Sequence, residues 1–172
     1  MIQVDAFPDH DERVMSPPLL AVAAIVMAGA SILQWMLPID LLAELAYVED
    51  IDPDWLAGAG VIIAAAGLLL SLRGCYALKR WGGVTDPWQM PKALVHDGVF
   101  QWTRNPCYLG ILVALAGAAL IFSLDWVLVL ILPTWIILHV AAVLPEEAFL
   151  RQRFGHSYEV YAKRVPRYVF VH

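Results

Sequence analysis

Charged residues are scarce in this chain. Of its 172 residues, 16% are charged and 60% are apolar, and seven are Trp. So few charges do not solvate the surface of a soluble globule of this size, which excludes an ordinary soluble domain. The surplus apolar surface needs lipid as its solvent.

The sequence also lacks the cysteines of a disulfide framework or a metal cluster. It has two, Cys75 and Cys107, and neither has a second cysteine at metal-ligand spacing. We therefore expect two small, buried, independent hydrophobic residues and no metal site.

Four apolar stretches approach the length of about 20 residues that crosses a bilayer. They cover residues 18–37, 55–78, 108–124 and 126–144. The pattern predicts an all-α integral membrane bundle of about four transmembrane helices, with a cytosolic C-terminal helix that caps the site. We predict one domain over 1–172, divided into an acidic tail (1–16), four spans (17–145) and a cytosolic C-terminal helix and tail (146–172).

The first stretch resembles a signal peptide in its apolar segment alone. Acidic residues dominate the segment before it, where Arg13 is the single basic residue. Because signal peptides begin with basic residues, we expect this stretch to be retained as a span.

Lys and Arg are absent between Asp40 and Asp54, where six acidic residues occur. The next loop and the C-terminal tail are basic, with Lys79, Arg80, Lys92 and Arg104 in the loop and Arg151, Arg153, Lys163, Arg164 and Arg167 in the tail. The positive-inside rule therefore places both termini in the cytoplasm, in an integral membrane protein that we assign to a bacterial inner membrane.

The connection between the last two spans, residues 123–125, is very short. The two helices must therefore be antiparallel neighbours whose cytosolic ends meet. This brings the segment from Arg104 to Gly110 close to Glu146 and Glu147, although about 40 positions separate them.

Both segments have residues that suit a charged ligand. Asn105 is a favourable helix cap and Pro106 a favourable first helical residue, so the exposed N–H groups of this helix start, together with Arg104, would attract a carboxylate. The carboxylates of Glu146 and Glu147 would accept hydrogen bonds from an ammonium group and ribose hydroxyls. Pro145 is expected to end or kink the span. His139, seven residues before Glu146, is expected on the same helix face.

The order of the motifs resembles a known family of membrane enzymes. The motifs are G-x-F at 98–100, R-N-P-x-Y-x-G at 104–110, E-E-x-x-L at 146–150, F-G-x-x-Y-x-x-Y at 154–161 and V-P-R at 165–167. This order resembles that of the isoprenylcysteine carboxyl methyltransferase and phospholipid methyltransferase group, over roughly residues 70–167.

The resemblance implies S-adenosyl-L-methionine as cofactor, in a cytosol-facing pocket formed by the last two helices and their capping loops. It implies catalytic roles for Arg104 and Glu146. The residues that it implies for cofactor binding are Lys92, Ala93, Leu94, Val95, Phe100, Asn105, Pro106, Cys107, Tyr108 and Glu147. Asn105, Phe100 and Ala142 depart from the His, Tyr and Arg of the prenylcysteine enzymes, which favours a different acceptor.

We therefore expect methyl transfer to an apolar or amphipathic acceptor at the cytosolic membrane face. An isoprenylcysteine-like carboxylate, a lipid headgroup and a small thiol all remain open as acceptors. The expected partners are the bilayer and this acceptor, with no nucleic acid. The alternatives are an NADPH-dependent reductase of the sterol type, and a non-catalytic membrane scaffold or transport-accessory protein.

Overall fold

Helices form the regular structure of this protein over the residues that the computed structural model describes, which are 19–48, 52–81 and 93–169. The α-helices are α1 (Leu19–Met36), α2 (Leu41–Val48), α3 (Pro53–Trp81), α4 (Pro106–Phe122), α5 (Asp125–Leu138), α6 (Leu144–Phe154) and α7 (His156–Arg164). A 3₁₀ turn covers Gly98–Gln101, and a π-helical turn, His139–Val143, joins α5 to α6.

Three helices are long and apolar enough to cross a membrane: α1, α3 and the continuous helix Asp125–Phe154, which contains α5, the π-helical turn and α6. The apolar helix α4 has 17 residues, at the lower end of the roughly 17–25 residues that span a bilayer. The predicted all-α fold is therefore confirmed, and each of the four predicted stretches is helical. The division into one domain over 1–172 stays a prediction.

The acidic segment between the first two spans contains a helix that the sequence analysis did not predict. This helix, α2, is linked to the turn between α4 and α5, because the Leu42 N–H donates to the buried carboxylate of Asp125 over 2.9 Å. The Trp126 indole N–H donates to the carbonyl oxygen of Leu37 over 2.7 Å. These two bonds hold the segment after α1 against the first turn of α5.

Helices α3 and α4 pack with their backbones nearly in contact. A Cβ atom placed on Gly67 would lie 2.6 Å from the carbonyl oxygen of Gly110, and one on Gly110 would lie equally close to that of Gly67. Gly60 and Gly117 make the same kind of contact further along the helices. Small residues at such spacing let membrane helices approach closely.

We expect Gly67→Ala to destabilise the fold by about 1 to 3 kcal/mol, because the methyl group would force the α3 and α4 backbones apart. Gly58→Ala is the matched control, since no atom of the described residues lies within 4 Å of a Cβ atom there and alanine favours a helix. Unfolding of both variants in mixed detergent micelles measures the difference. Equal stability of the two variants would contradict this packing.

The last long helix continues past Pro145, whereas the sequence analysis expected Pro145 to end or kink the span. Proline has no N–H for the carbonyl four residues earlier, and its ring crowds that carbonyl. The helix widens just before Pro145, where the Leu144 N–H bonds to the carbonyl of His139, five residues back. A wider turn of this kind contains one additional residue, and it changes which side chains share a face beyond it.

The C-terminal helix α7 packs on the segment before α4. Tyr158 and Tyr161 of α7 form a buried apolar cluster with Val95 and Phe100. The Tyr161 hydroxyl donates to the carbonyl of Phe100 over 2.8 Å. The C-terminal helix therefore covers the segment that carries the first motif.

Candidate functional site

A buried carboxylate lies between two arginines where α4 begins and α6 begins. The Glu147 side chain is 4% exposed, and one of its oxygens lies 3.3 Å from a terminal nitrogen of Arg104, whose side chain is 6% exposed. Arg167 binds the same carboxylate through two hydrogen bonds of 3.0 and 2.8 Å. We call Arg104, Glu147 and Arg167 the ion cluster. Its formal charge is +1.

The ion cluster confirms that the start of α4 and the start of α6 meet, as the short connection between α4 and α5 predicted. Ser123 makes this reversal with a left-handed backbone, at φ 49°, and the Leu124 N–H bonds back to the carbonyl of Ala119 over 3.0 Å. The chain therefore reverses within two residues, and α4 and α5 pack side by side as antiparallel helices.

The C-terminal segment 165–168, here called the C-terminal strap, holds the residues before α4. The Arg104 N–H donates to the carbonyl of Pro166 over 3.0 Å. The carbonyl of Arg167 accepts from the Thr103 hydroxyl at 2.8 Å and from the Asn105 side-chain amide at 3.3 Å. The strap thus fixes both the backbone of Arg104 and its carboxylate partner.

Asn105 occupies the cap position of α4, but its side chain does not bond to the helix N–H groups. The expectation of a side-chain cap is wrong, because the Asn105 amide bonds to the strap instead. The backbone carbonyl of Asn105 does accept the first helical bond, from Leu109, at 3.0 Å. Pro106 follows as the first helical residue, as predicted.

The second carboxylate of the pair has a different environment. Glu146 is partly exposed, and one of its oxygens accepts a hydrogen bond of 2.5 Å from the Tyr108 hydroxyl. Tyr108 itself is 6% exposed and packs in the core with Leu112 and Ala142. The two adjacent glutamates therefore have different partners. Glu147 binds two arginines, whereas Glu146 binds a tyrosine at the end of an apolar core.

With the additional residue of the π-helical turn, the position two helical turns after His139 is Glu147, whereas the sequence analysis expected Glu146. The His139 Nδ1 lies 3.1 Å from the Tyr168 hydroxyl, and the His139 ring stacks on that of Trp135, with ring centroids 5.6 Å apart. Tyr168 is the strap residue next to Arg167, which binds Glu147. The additional residue of the π-helical turn accounts for this shift by one position.

Two buried polar atoms beside the ion cluster have no hydrogen-bond partner among the described residues: Nε of Arg104 and the hydroxyl of Tyr158. Tyr158 is 1% exposed. Burial raises its pKa, with the nearby Glu147 charge acting in the same direction and Arg104 opposing it. Buried donors are normally satisfied, and the Arg104 side chain approaches the Tyr158 hydroxyl, so this pair of groups marks a position where a ligand acceptor would fit.

The pKa values of other groups at the site are also raised. The hydrogen bonds from Arg167 to Glu147 raise the pKa of Arg167, so this guanidinium keeps its charge at any physiological pH. Burial raises the pKa of Tyr161 and of Tyr168. Both phenols are therefore protonated near neutral pH, and the Tyr161 hydroxyl donates to the Phe100 carbonyl.

The other predicted cofactor residues lie in two places. Val95 and Phe100 are buried beneath α7, while Leu94 is half-buried and Ala93 is exposed. Pro106 and Cys107 are buried at the start of α4, where a Cβ atom on Gly74 of α3 would meet both side chains. Lys92 lies outside the described residues. The catalytic and cofactor-binding roles assigned from the resemblance stay predictions.

The V-P-R motif is visible in the sequence, but neither its Arg167 nor Thr103 was predicted as a site residue. One feature of the sequence pointed to a second cation such as Arg167. A carboxylate pair at a membrane helix end needs cations, and Arg104 is a single cation for two carboxylates. The sequence analysis also treated Cys75 and Cys107 as independent residues, whereas their sulfur atoms lie 3.3 Å apart.

Comparison with known proteins gives one family. The family model described as phospholipid methyltransferase matches residues 55–157, which are 103 of the 172 residues. No curated protein and no solved structure matches the chain. The matched range contains Arg104, Tyr108 and both glutamates, and it ends before the strap that completes the ion cluster.

Proposed function

Since the chain belongs to the phospholipid methyltransferase family, we propose that it transfers a methyl group from S-adenosyl-L-methionine to an apolar or amphipathic acceptor at the cytosolic membrane face. The observation that carries the proposal is the buried ion cluster beside Glu146 and Tyr108. It joins residues from α4, α6 and the strap at one end of an apolar helix bundle.

The residues present fit the charged groups of this cofactor. The ion cluster carries one positive charge in excess, and the unpartnered Nε of Arg104 and hydroxyl of Tyr158 are donors beside it. These would hold a carboxylate, since hydrogen bonds between ions are stronger than those between neutral groups. Glu146 would hold the ammonium group or a ribose hydroxyl. Glu147 would orient Arg104 through the ion pair between them.

Bound S-adenosyl-L-methionine supplies an electrophilic methyl group on a sulfonium. The displacement is in line, so the protein contributes mainly orientation and exclusion of water. In this chain, the strap fixes Arg104, and Tyr108 fixes Glu146. α7 covers the side of the site formed by Val95 and Phe100 and would exclude water there.

The acceptor would enter from the bilayer, because the core below Glu146 is apolar. Ala142 is 1% exposed among Tyr108, Leu138 and Val143, so this position offers neither a cation nor space for a carboxylate. A charged hydrogen bond is worth about 1.5 to 3 kcal/mol, and its loss disfavours prenylcysteine. A lipid headgroup amine or another amphipathic nucleophile suits the site better.

The direct experiment is to incubate the purified protein with membrane lipid and isotopically labelled S-adenosyl-L-methionine, and to follow the label by mass spectrometry. We expect the label in a lipid or an apolar small molecule, and little turnover of N-acetyl-farnesylcysteine. Efficient methylation of that compound, at a kcat/KM of about 10⁴ M⁻¹s⁻¹ or above, would overturn the proposed acceptor class. No labelled product with any lipid fraction would count against methyl transfer itself.

We also propose that both termini face the cytoplasm, where nucleotide-derived cofactors are found. The basic residues around α3's end and in α7, against the acidic segment before α3, support this orientation. A reporter fused after His172 should read as cytoplasmic, and one inserted after Val48 should read as external. The opposite pattern would place the ion cluster away from the cofactor.

A further inference from the structure

We propose that Cys75 and Cys107 form a reversible disulfide bond that links α3 to the start of α4. The Cys75 thiol donates to the Cys107 sulfur, and the two sulfur atoms lie 3.3 Å apart. A disulfide bond needs about 2.05 Å, so closure requires an approach of little more than 1 Å. Both thiols are free in the structure.

The helix packing holds the two sulfur atoms in place. Gly74, next to Cys75, has no side chain, and a Cβ atom there would lie 2.9 Å from the Cys107 sulfur. The contact between Gly67 and Gly110 keeps the two backbones together close by. This rigid helix pair brings Cys75 and Cys107 together with little further loss of conformational freedom on closure.

The two thiols differ in their exposure. Helix α3 has 29 residues, about nine more than a hydrocarbon core requires, and Arg73, Lys79 and Arg80 mark its C-terminal end as the polar one. Cys75 is exposed between these charges, whereas Cys107 is 7% exposed. Cys75 is therefore the thiol that meets the oxidant, and Cys107 is the one that closes the bond.

The oxidant is a small-molecule disulfide. The Cys75 thiolate attacks one of its sulfur atoms, which forms a mixed disulfide and releases one thiolate. The Cys107 thiolate then attacks the Cys75 sulfur and displaces the second small thiol. In total, two protein thiols are oxidised to one disulfide, and the small disulfide is reduced to two thiols.

Closure would also alter the candidate site. Cys107 stands directly before Tyr108, whose hydroxyl binds Glu146, and movement of Cys107 toward Cys75 would displace this pair, which we propose contributes to the cofactor site. Oxidation should therefore weaken cofactor binding, an effect that rests on the proposed function. Reduction should restore it.

The test treats detergent-purified protein with oxidised glutathione and measures the intact mass. The wild type should lose two hydrogen atoms, carry no glutathione, and react with maleimide only after reduction. Digestion should give a peptide pair that joins residues 75 and 107. An unchanged mass, a stable glutathione adduct or a disulfide between two chains would overturn the proposal.

Two single variants establish the order of the steps. Cys107→Ser should keep one stable glutathione on Cys75, because the closing thiol is missing. Cys75→Ser should remain unmodified, because Cys107 is buried. Rapid glutathione addition to Cys107 in the second variant would contradict the assigned order.

Cofactor affinity is measured on the same samples. Oxidation of the wild type should lower the affinity for S-adenosyl-L-methionine at least tenfold, and reduction should reverse this, while Cys75→Ser binds equally before and after treatment. Unchanged affinity of the disulfide form would overturn the effect on the site. If the reduced wild type does not bind the cofactor at all, the proposed function fails, and the mass measurement still decides the disulfide.

Discussion

Glu147→Ala is expected to lower the free energy of unfolding by about 3 to 5 kcal/mol, the largest effect on stability that the structure predicts. The variant would leave Arg104 buried without its carboxylate, and Arg167 would lose both of its hydrogen bonds to that side chain. Buried charges that lose their partner are costly, whereas exposed ion pairs are worth little. Unfolding by sodium dodecyl sulfate in mixed micelles measures the change.

Glu159→Ala is the matched control, because Glu159 is an exposed glutamate of α7. We expect its stability to stay within about 0.5 kcal/mol of the wild type, as for most surface substitutions. The double variant Arg104→Met with Glu147→Leu should recover part of the loss, since it removes the more deeply buried arginine and leaves only the more exposed Arg167 without its carboxylate. A Glu147→Ala protein as stable as the control would show that the ion cluster does not stabilise the fold.

Glu146→Gln is expected to reduce the affinity for S-adenosyl-L-methionine by roughly 10- to 100-fold, with the fold intact. The carboxylate lies partly exposed at the end of the apolar core, and we propose that it holds a cationic or hydroxyl group of the cofactor. Hydrogen bonds to charged groups contribute about 1.5 to 3 kcal/mol. Titration calorimetry measures the affinity, and circular dichroism monitors the helices.

Tyr108→Phe is the control for this substitution, because it removes the hydroxyl and keeps the carboxylate. We expect a smaller loss of affinity, less than about 10-fold, from the loss of one positioning hydrogen bond. An affinity of Glu146→Gln equal to that of the wild type would remove Glu146 from the proposed cofactor site. A larger loss for Tyr108→Phe than for Glu146→Gln would assign the main contact to the hydroxyl.

Hydropathy predicted the spans because bilayer thickness fixes the length of an apolar helix. The short connection at residues 123–125 predicted that the starts of α4 and α6 meet, since so short a connection leaves no other arrangement, and the contact between Arg104 and Glu147 confirms it. Helix α2 was missed because Glu44 within it and the acidic residues around it were interpreted as features of a loop.

The parts of the site that sequence reasoning missed depend on contacts between distant residues. The strap binds residues about 60 positions earlier in the chain, and no local periodicity records such a contact. The π-helical turn changed the residue that lies two helical turns after His139, because a period of 3.6 residues assumes an uninterrupted α-helix. The pair of cysteines was missed because their spacing in sequence says nothing about the crossing of α3 and α4.

The measurement that tests the central claim most directly is calorimetry of the reduced wild-type protein in detergent with S-adenosyl-L-methionine, its demethylated product and NADPH. We expect saturable binding of the first two, with dissociation constants between roughly 1 μM and 1 mM, the usual range of enzyme KM values, and no binding of NADPH. Heat with NADPH alone, or no heat with any of the three ligands, would contradict a methyltransferase site at the ion cluster.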